Sequence, residues 1–136
     1  MAIEGPYGVF TADTRHSDRV LLVGAGVGIT PVRALLEELP QEADVVVLLR
    51  GSRPEDLVLR HEIAQHVAQR RGRLHQLVGP RERVRLDARA LELLVPDIAR
   101  RDVYVCGPEP FQDALVAAAA RAGVPATHLH HESFAF

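Results

Sequence analysis

Short runs of consecutive apolar residues alternate along the chain with longer segments whose apolar positions recur every three or four residues. Val20 to Val23 is the first clear run and breaks off into glycines, which predicts a strand. Val32 to Leu39 then carries helical spacing and stops near Pro40. DVVVLLR (44–50) is apolar and β-branched without polar alternation, the pattern of a strand buried on both faces. The segment 54–72 repeats apolar residues at Leu57, Ile63 and Val67 and ends at Gly72, which predicts an amphipathic helix with a glycine stop. RLHQLVG (73–79) is a weaker strand, and DARALELLV (87–95) is a short helix beginning at Asp87. DVYVCG (102–107) is another buried strand, and 110–123 is a helix with Pro110 near its start and Gly123 at its end. THLHHESFAF (127–136) is expected to close the chain as a last strand.

Strand and helix in alternation, about five times over, predict an α/β fold: a three-layer, doubly wound parallel sheet of about five strands with helices on both faces. In such sheets ligands bind beyond the carboxyl ends of the strands. Gly24, Arg50 to Arg53, Cys106 to Pro108 and the C-terminal tail all follow strand ends, so they are expected on one rim.

Composition narrows the picture. The 136 residues, 47% of them hydrophobic, fit one domain. A formal charge of -2 gives no electrostatic case for binding nucleic acid. Every basic residue is arginine, a bias that anion binding and a base composition rich in G and C explain equally well. One cysteine, Cys106, excludes an internal disulfide and suits a reducing compartment, which points to the cytoplasm. No apolar run approaches the roughly 18 residues needed for a membrane span, so direct membrane insertion is not expected.

The candidate chemistry is concentrated in LLVGAGVGITP (21–31), where Gly24, Gly26 and Gly28 occupy alternate positions ahead of Thr30-Pro31. A strand-to-helix turn without side chains lets backbone N–H groups approach a pyrophosphate, and the following helix presents its positive end to it. Glycines can equally serve only to make the turn. The spacing departs from G-x-G-x-x-G, and Arg50 stands at the end of the second strand, where a ribose-binding acid is usual. His128 and His130 share a strand face but His131 points away, so no metal site is expected. Ser17 and Ser52 lack the G-x-S-x-G setting of a hydrolase nucleophile.

GPYG (5–8), GAGVGITP (24–31), CGPEPF (106–111) and HESFAF (131–136) occur in the order and at about the spacing of the nicotinamide-binding domain of the ferredoxin-NADP reductase superfamily, which includes cytochrome b5 reductase, ferric reductases and NADPH oxidases. The resemblance covers essentially the whole chain, residues 1–136. It implies that Gly24, Gly26, Val27, Gly28, Ile29, Thr30 and Pro31 form the turn receiving pyrophosphate, with the Thr30 hydroxyl near the nicotinamide; Thr30 can also serve as a helix N-cap. Cys106 matches the cysteine beside the hydride-exchanging carbon, although a small buried residue at a strand end is the plain alternative. Gly107, Pro108 and Glu109 continue that cofactor set. Glu132 matches a carboxylate near the flavin edge, and Phe134 the aromatic that covers the flavin.

Arg50, Ser52 and Arg53 offer cationic and hydroxyl partners to a 2′-phosphate, which favours NADP over NAD. Glu55 and Asp56 are expected to start the next helix. The family also implies an FAD-binding barrel ahead of GPYG, with a membrane haem domain or an iron–sulfur protein as onward acceptor. On this reading the domain feeds electrons from NADPH to a flavin held elsewhere and is inactive alone. A non-catalytic nucleotide-binding or sensor module of the same fold is the alternative.

Overall fold

A computed structural model describes residues 17–80 and 83–131. Five strands form one all-parallel sheet in the order β3-β2-β1-β4-β5. They are β1 (Arg19–Ala25), β2 (Asp44–Gly51), β3 (Gly72–Val78), β4 (Asp102–Cys106) and β5 (Leu129–His131). The helices are α1 (Ile29–Glu38), α2 (Arg60–Ala68), α3 (Ala88–Leu94) and α4 (Glu109–Arg121). The expected doubly wound architecture is present.

Alternation along the strands divides the interior into two layers. Val20, Leu22, Val45, Val47, Leu49 and Cys106 pack with the apolar faces of α1 and α2. Leu21, Val23, Val46, Leu48, Val103 and Val105 pack with those of α3 and α4. The unbroken apolar runs at 20–23 and 45–49 exist because β1 and β2 are interior strands covered on both faces.

Two expectations need correction. The helix expected from Pro54 begins at Arg60, because Leu59 takes a left-handed backbone (φ 61°) and breaks the helical path. Leu57 is buried and Leu59 packs against the same core, so two hydrophobic anchors on a short connection override the helical periodicity. Pro54–Asp56 forms a separate 3-10 turn instead. Gly72, expected as a helix stop, is the first residue of β3, because α2 has already ended at Ala68. Of the expected last strand, Leu129–His131 lies within the described residues; Glu132, Phe134 and Phe136 lie outside them, as does the GPYG segment.

The start of α1 rests directly on the end of β4. A β-carbon at Gly28 would sit 2.2 Å from both the carbonyl carbon and the oxygen of Cys106, a collision with backbone that no rotamer change relieves. Gly26 differs: its φ is +57°, and a β-carbon there would meet nothing within 4 Å. One glycine is required for packing, the other for its backbone conformation beside open space.

At the opposite end of the sheet one buried guanidinium joins four segments. Arg101, 1% exposed, donates to the Asp97 carboxylate at 2.8 Å, to the Asp44 carboxylate at 2.9 Å and to the carbonyls of Val20 and Asp44 at 3.0 and 2.9 Å. Arg19 reaches Asp97 from outside at 3.2 Å. Partial burial pushes the Asp97 carboxyl up, but the Arg101 hydrogen bond and the charges of Arg101 and Arg19 outweigh it and hold the group below its ordinary value of 3.8.

Gly28→Ala is expected to abolish the cooperative thermal transition followed by circular dichroism, whereas Gly26→Ala retains it with a loss of about 1 kcal/mol from the left-handed backbone. Arg101→Ala should destabilise the domain by about 3 kcal/mol in urea, since it strands carboxylates and carbonyls together. Because the Asp97 carboxyl is depressed, its contribution is present above the unfolded value and is lost as pH falls through the lower folded one. Asp97→Asn should therefore be less stable than the parent at neutral pH and lose less stability on acidification below about pH 4, as read from urea midpoints across that range.

Candidate functional site

From β1 the sheet grows to β2 on one side and to β4 on the other, so the connections leaving β1 and β4 diverge. A crevice of about 800 Å³ opens there, beyond the carboxyl ends of these strands. One wall is the β1–α1 turn, Ala25 to Val27, with Thr30 from the first turn of α1. A second comes from the end of β2 and its continuation: Arg50, Gly51 and Ser52, then Glu55, Asp56 and Val58. Pro108, Pro110 and Phe111, at the start of α4, close the third side.

The backbone of the turn explains what this crevice favours. Gly28 is the N-cap of α1, no side chain caps that end, and no acidic residue lies in its first turn. The positive end of α1 is therefore uncompensated and able to hold an anion. α4 starts on the same rim but carries Glu109 in its first turn, which offsets its dipole. Of the two helix starts on this rim, that of α1, beside the open side of Gly26, is the one whose dipole suits an anion. Exposed Val27 and Val58 add aliphatic surface to the crevice.

Most of the expected rim is brought together, with changes of role. Gly26, Val27, Thr30, Arg50, Ser52 and Pro108 line the crevice. Gly24 is a strand residue paired with Leu49 and Cys106, and Ile29 is fully buried core. Gly28 and Pro31 support the turn without lining it, and Gly107 is buried behind Pro108. Thr30 is the second residue of α1, so the N-cap expected of it belongs to Gly28. Arg53 is not among the lining residues: its side chain is 70% exposed and sits 3.6 Å from the carboxylate of Asp56, which does line the crevice. Glu109 is exposed on α4 and likewise outside it.

Cys106 is the sharpest departure. Its residue has no exposed surface and belongs to the core cluster containing Ile29 and Val32, beneath the start of α1. Alternation along β4 sends it into the layer of α1 and α2, and the close seat of Gly28 roofs that position. Glu132 and Phe134 fall outside the described residues. His130 is occupied elsewhere, with its Nε2 2.9 Å from the Asp102 carboxylate and its ring stacked on Tyr104 at 4.4 Å.

Phe111, Pro110, Val58, Glu55 and Asp56 line the crevice without having been singled out. The two acids were concealed by their fit to a helix start, whereas the 3-10 turn turns them to the rim. CGPEPF did contain the signal for Phe111: a helix that begins at Glu109 on the strand-end rim keeps its first turn there.

Known proteins share this fold. A family model described as the oxidoreductase NAD-binding domain matches residues 22–117. The glycine betaine monooxygenase reductase subunit of Pseudomonas aeruginosa is 31% identical over 147 residues, which cover 98% of this chain and 40% of the relative. NADH oxidoreductase HCR of Escherichia coli is 35% identical over 116 residues, covering 78% of this chain and 33% of the relative. Among solved structures, the FAD/NAD-binding domain of nitric oxide dioxygenase from Vibrio cholerae is similar with a TM-score of 0.72 and 28% identity, over 88% of this chain and 52% of that one. The flavohemoglobin of Malassezia yamatoensis, at 23% identity and a TM-score of 0.71 over 93% of this chain and 33% of that one, shares the fold. The chain spans about 40% of the length of the curated monooxygenase reductase subunits it matches. With a parallel sheet opening at its switch point, an uncapped helix start over an open glycine, and a family match through both, this chain belongs to the oxidoreductase NAD-binding domain family.

Proposed function

We propose that the domain binds NADPH along the crevice and presents its nicotinamide to a flavin held by a separate FAD-binding domain, as part of a reductase that passes electrons to an iron–sulfur protein. The observation that carries the reading is the uncapped, acid-free start of α1 beside Gly26, which fits a pyrophosphate. Bound there, the nucleotide supplies the hydride chemistry. The chain's own part is to fix its position: the α1 end holds the pyrophosphate, Thr30 lies one helical position beyond, and the Pro108 wall limits where the ring can lie. Cys106 acts from beneath, as packing under the α1–β4 contact. Among the described residues no helix is long and apolar enough to cross a membrane. We place the domain in the cytoplasm, joined to its acceptor through the rest of the protein.

Support for this division of labour comes from the relatives. They include the reductase subunit of a glycine betaine monooxygenase and the reductase components of a propane 2-monooxygenase and a 3-ketosteroid-9-alpha-monooxygenase. The V. cholerae domain is described as FAD/NAD-binding.

Cofactor choice turns on the β2 end. Arg50 and Ser52 suit a 2′-phosphate. Of the two acids opposite, Asp56 is engaged, accepting the Arg53 N–H at 3.0 Å and lying beside its guanidinium. Glu55 has no carboxylate-neutralising partner among the described residues and favours a ribose diol, so NADH is the second reading.

Isothermal titration of the chain with both nucleotides decides between them. NADPH should bind more tightly than NADH, and Arg50→Ala should weaken NADPH about tenfold while leaving NADH within about twofold. Glu55→Gln should tighten NADPH. Tighter binding of NADH by the parent chain would establish the second reading, and no binding of either would overturn the nucleotide role of the crevice.

A further inference from the structure

Among the described residues the buried polar ones are Arg50, Arg101, Asp102 and Gln112. Arg101 and Asp102 have their partners near the amino end of the sheet, and Arg50 lines the crevice. Gln112, 2% exposed, lies early in α4, next in sequence to Phe111 of the crevice wall. Its Nε2 donates to the Gly107 carbonyl at 2.7 Å, and its backbone N–H donates to the Pro108 carbonyl at 3.0 Å. One residue therefore holds two successive carbonyls of the β4–α4 connection.

That connection is confined on its other side by packing. Gly28 sits on the Cys106–Gly107 peptide, and a β-carbon at Gly107 would come within 3.1 Å of the Ala25 carbonyl oxygen. Packing limits how far the connection can shift, but it does not orient the next peptide. Gly107 has φ +152° and no side chain to restrict rotation about its backbone bonds, so the direction of its carbonyl, and with it that of the Pro108 ring, is left to hydrogen bonding. Gln112 supplies that bond from the buried side, where the local dielectric is low. A methionine would fill nearly the same volume without a polar group to satisfy, so packing alone does not call for an amide here.

We propose that Gln112 is a positioning residue for the nicotinamide: it acts through Gly107 and Pro108, setting the Pro108 ring as the wall against which the nicotinamide lies. The inference rests on the nucleotide reading of the crevice. Pro108 closes the side formed by the start of α4, whereas Arg50 and Ser52 stand on the β2 wall. Loss of the amide is therefore felt at the nicotinamide end of the nucleotide and not at its ADP end.

The test is isothermal titration of the 136-residue chain with two pairs of nucleotides. NADPH is compared with 2′-phospho-ADP-ribose and NADH with ADP-ribose, each second member lacking only the nicotinamide, so the result does not depend on which cofactor is preferred. In the better-binding pair the parent should favour the complete nucleotide about fivefold or more, and Gln112→Met should reduce that ratio to about twofold or less while the Kd of the nicotinamide-free member stays within about twofold. Gln76→Met, the same change at an exposed position of β3, should leave both values as in the parent. Circular dichroism melts confirm that each variant is folded, and Gln112→Leu replaces Gln112→Met if that variant is not. A role confined to stability would lower the melting temperature and leave the ratio unchanged. An unchanged ratio in the folded variant, an equal loss for both members, or a parent that does not distinguish them overturns the positioning role alone. No binding of any of the four to the parent overturns the nucleotide reading, and the positioning role falls with it.

Discussion

The seat of Gly28 on the Cys106–Gly107 peptide sets the geometry of the whole carboxyl rim. Without a β-carbon at that point, the start of α1 comes into backbone contact with the end of β4. That contact lies across two paired strands, with Gly24 opposite Cys106, so it also fixes how far α1 stands above the sheet. The β1–α1 turn and the β4–α4 connection then become opposite walls of one crevice. A larger residue would hold them apart and remove the uncapped helix end from the place where β2 delivers Arg50 and Ser52. Glycine's role here is first steric, and the placement of the uncapped α1 end on the rim is its consequence.

Charge is handled at the other end of the sheet. The amino ends of β1, β2 and β4 carry Arg19, Asp44, Arg101 and the nearby Asp97, and Arg101 satisfies carbonyls of two strands while balancing two carboxylates. A buried guanidinium is tolerated because each of its three nitrogens has a hydrogen-bond partner. This network registers the strands without touching the crevice. All five strands are parallel, so every carboxyl end emerges on the functional rim and every amino end on the structural one.

The fold was legible because burial on both faces leaves unbroken apolar runs, and those at 20–23, 45–49 and 103–105 are the interior strands. The β2–α2 connection was not legible. Its apolar spacing satisfied a helix, and nothing local shows that Leu57 and Leu59 would both be drawn into the core. At the site, the glycine turn and the β2 end were readable from chemistry placed at strand ends. For Cys106 both a buried strand-end residue and a cofactor-facing one were open, and how closely Gly28 packs over it, a distance no residue pattern encodes, leaves it buried. Arg53 stands outside the crevice lining beside Asp56, three residues on, which accepts its backbone N–H.

These differences indicate where the domain can vary. The β1–α1 turn is confined by backbone contact, so few side-chain changes at Gly24 or Gly28 are compatible with the sheet beneath. The β2–α2 connection is confined only at Leu57 and Leu59, and the left-handed backbone at Leu59 carries a strain of about 1–2 kcal/mol that core packing has to offset. Between Ser52 and Val58 side chains stand at the crevice without such constraint: Ser52, Glu55 and Val58 are all exposed, and none is part of the core. Exposed residues facing a ligand from a segment held by Leu57 can change identity without moving the sheet. On the proposed nucleotide reading, recognition of the pyrophosphate therefore rests on geometry that the fold cannot give up. On the same reading, discrimination at the far ribose rests on side chains that it can, with Arg50 anchored at the boundary between the two.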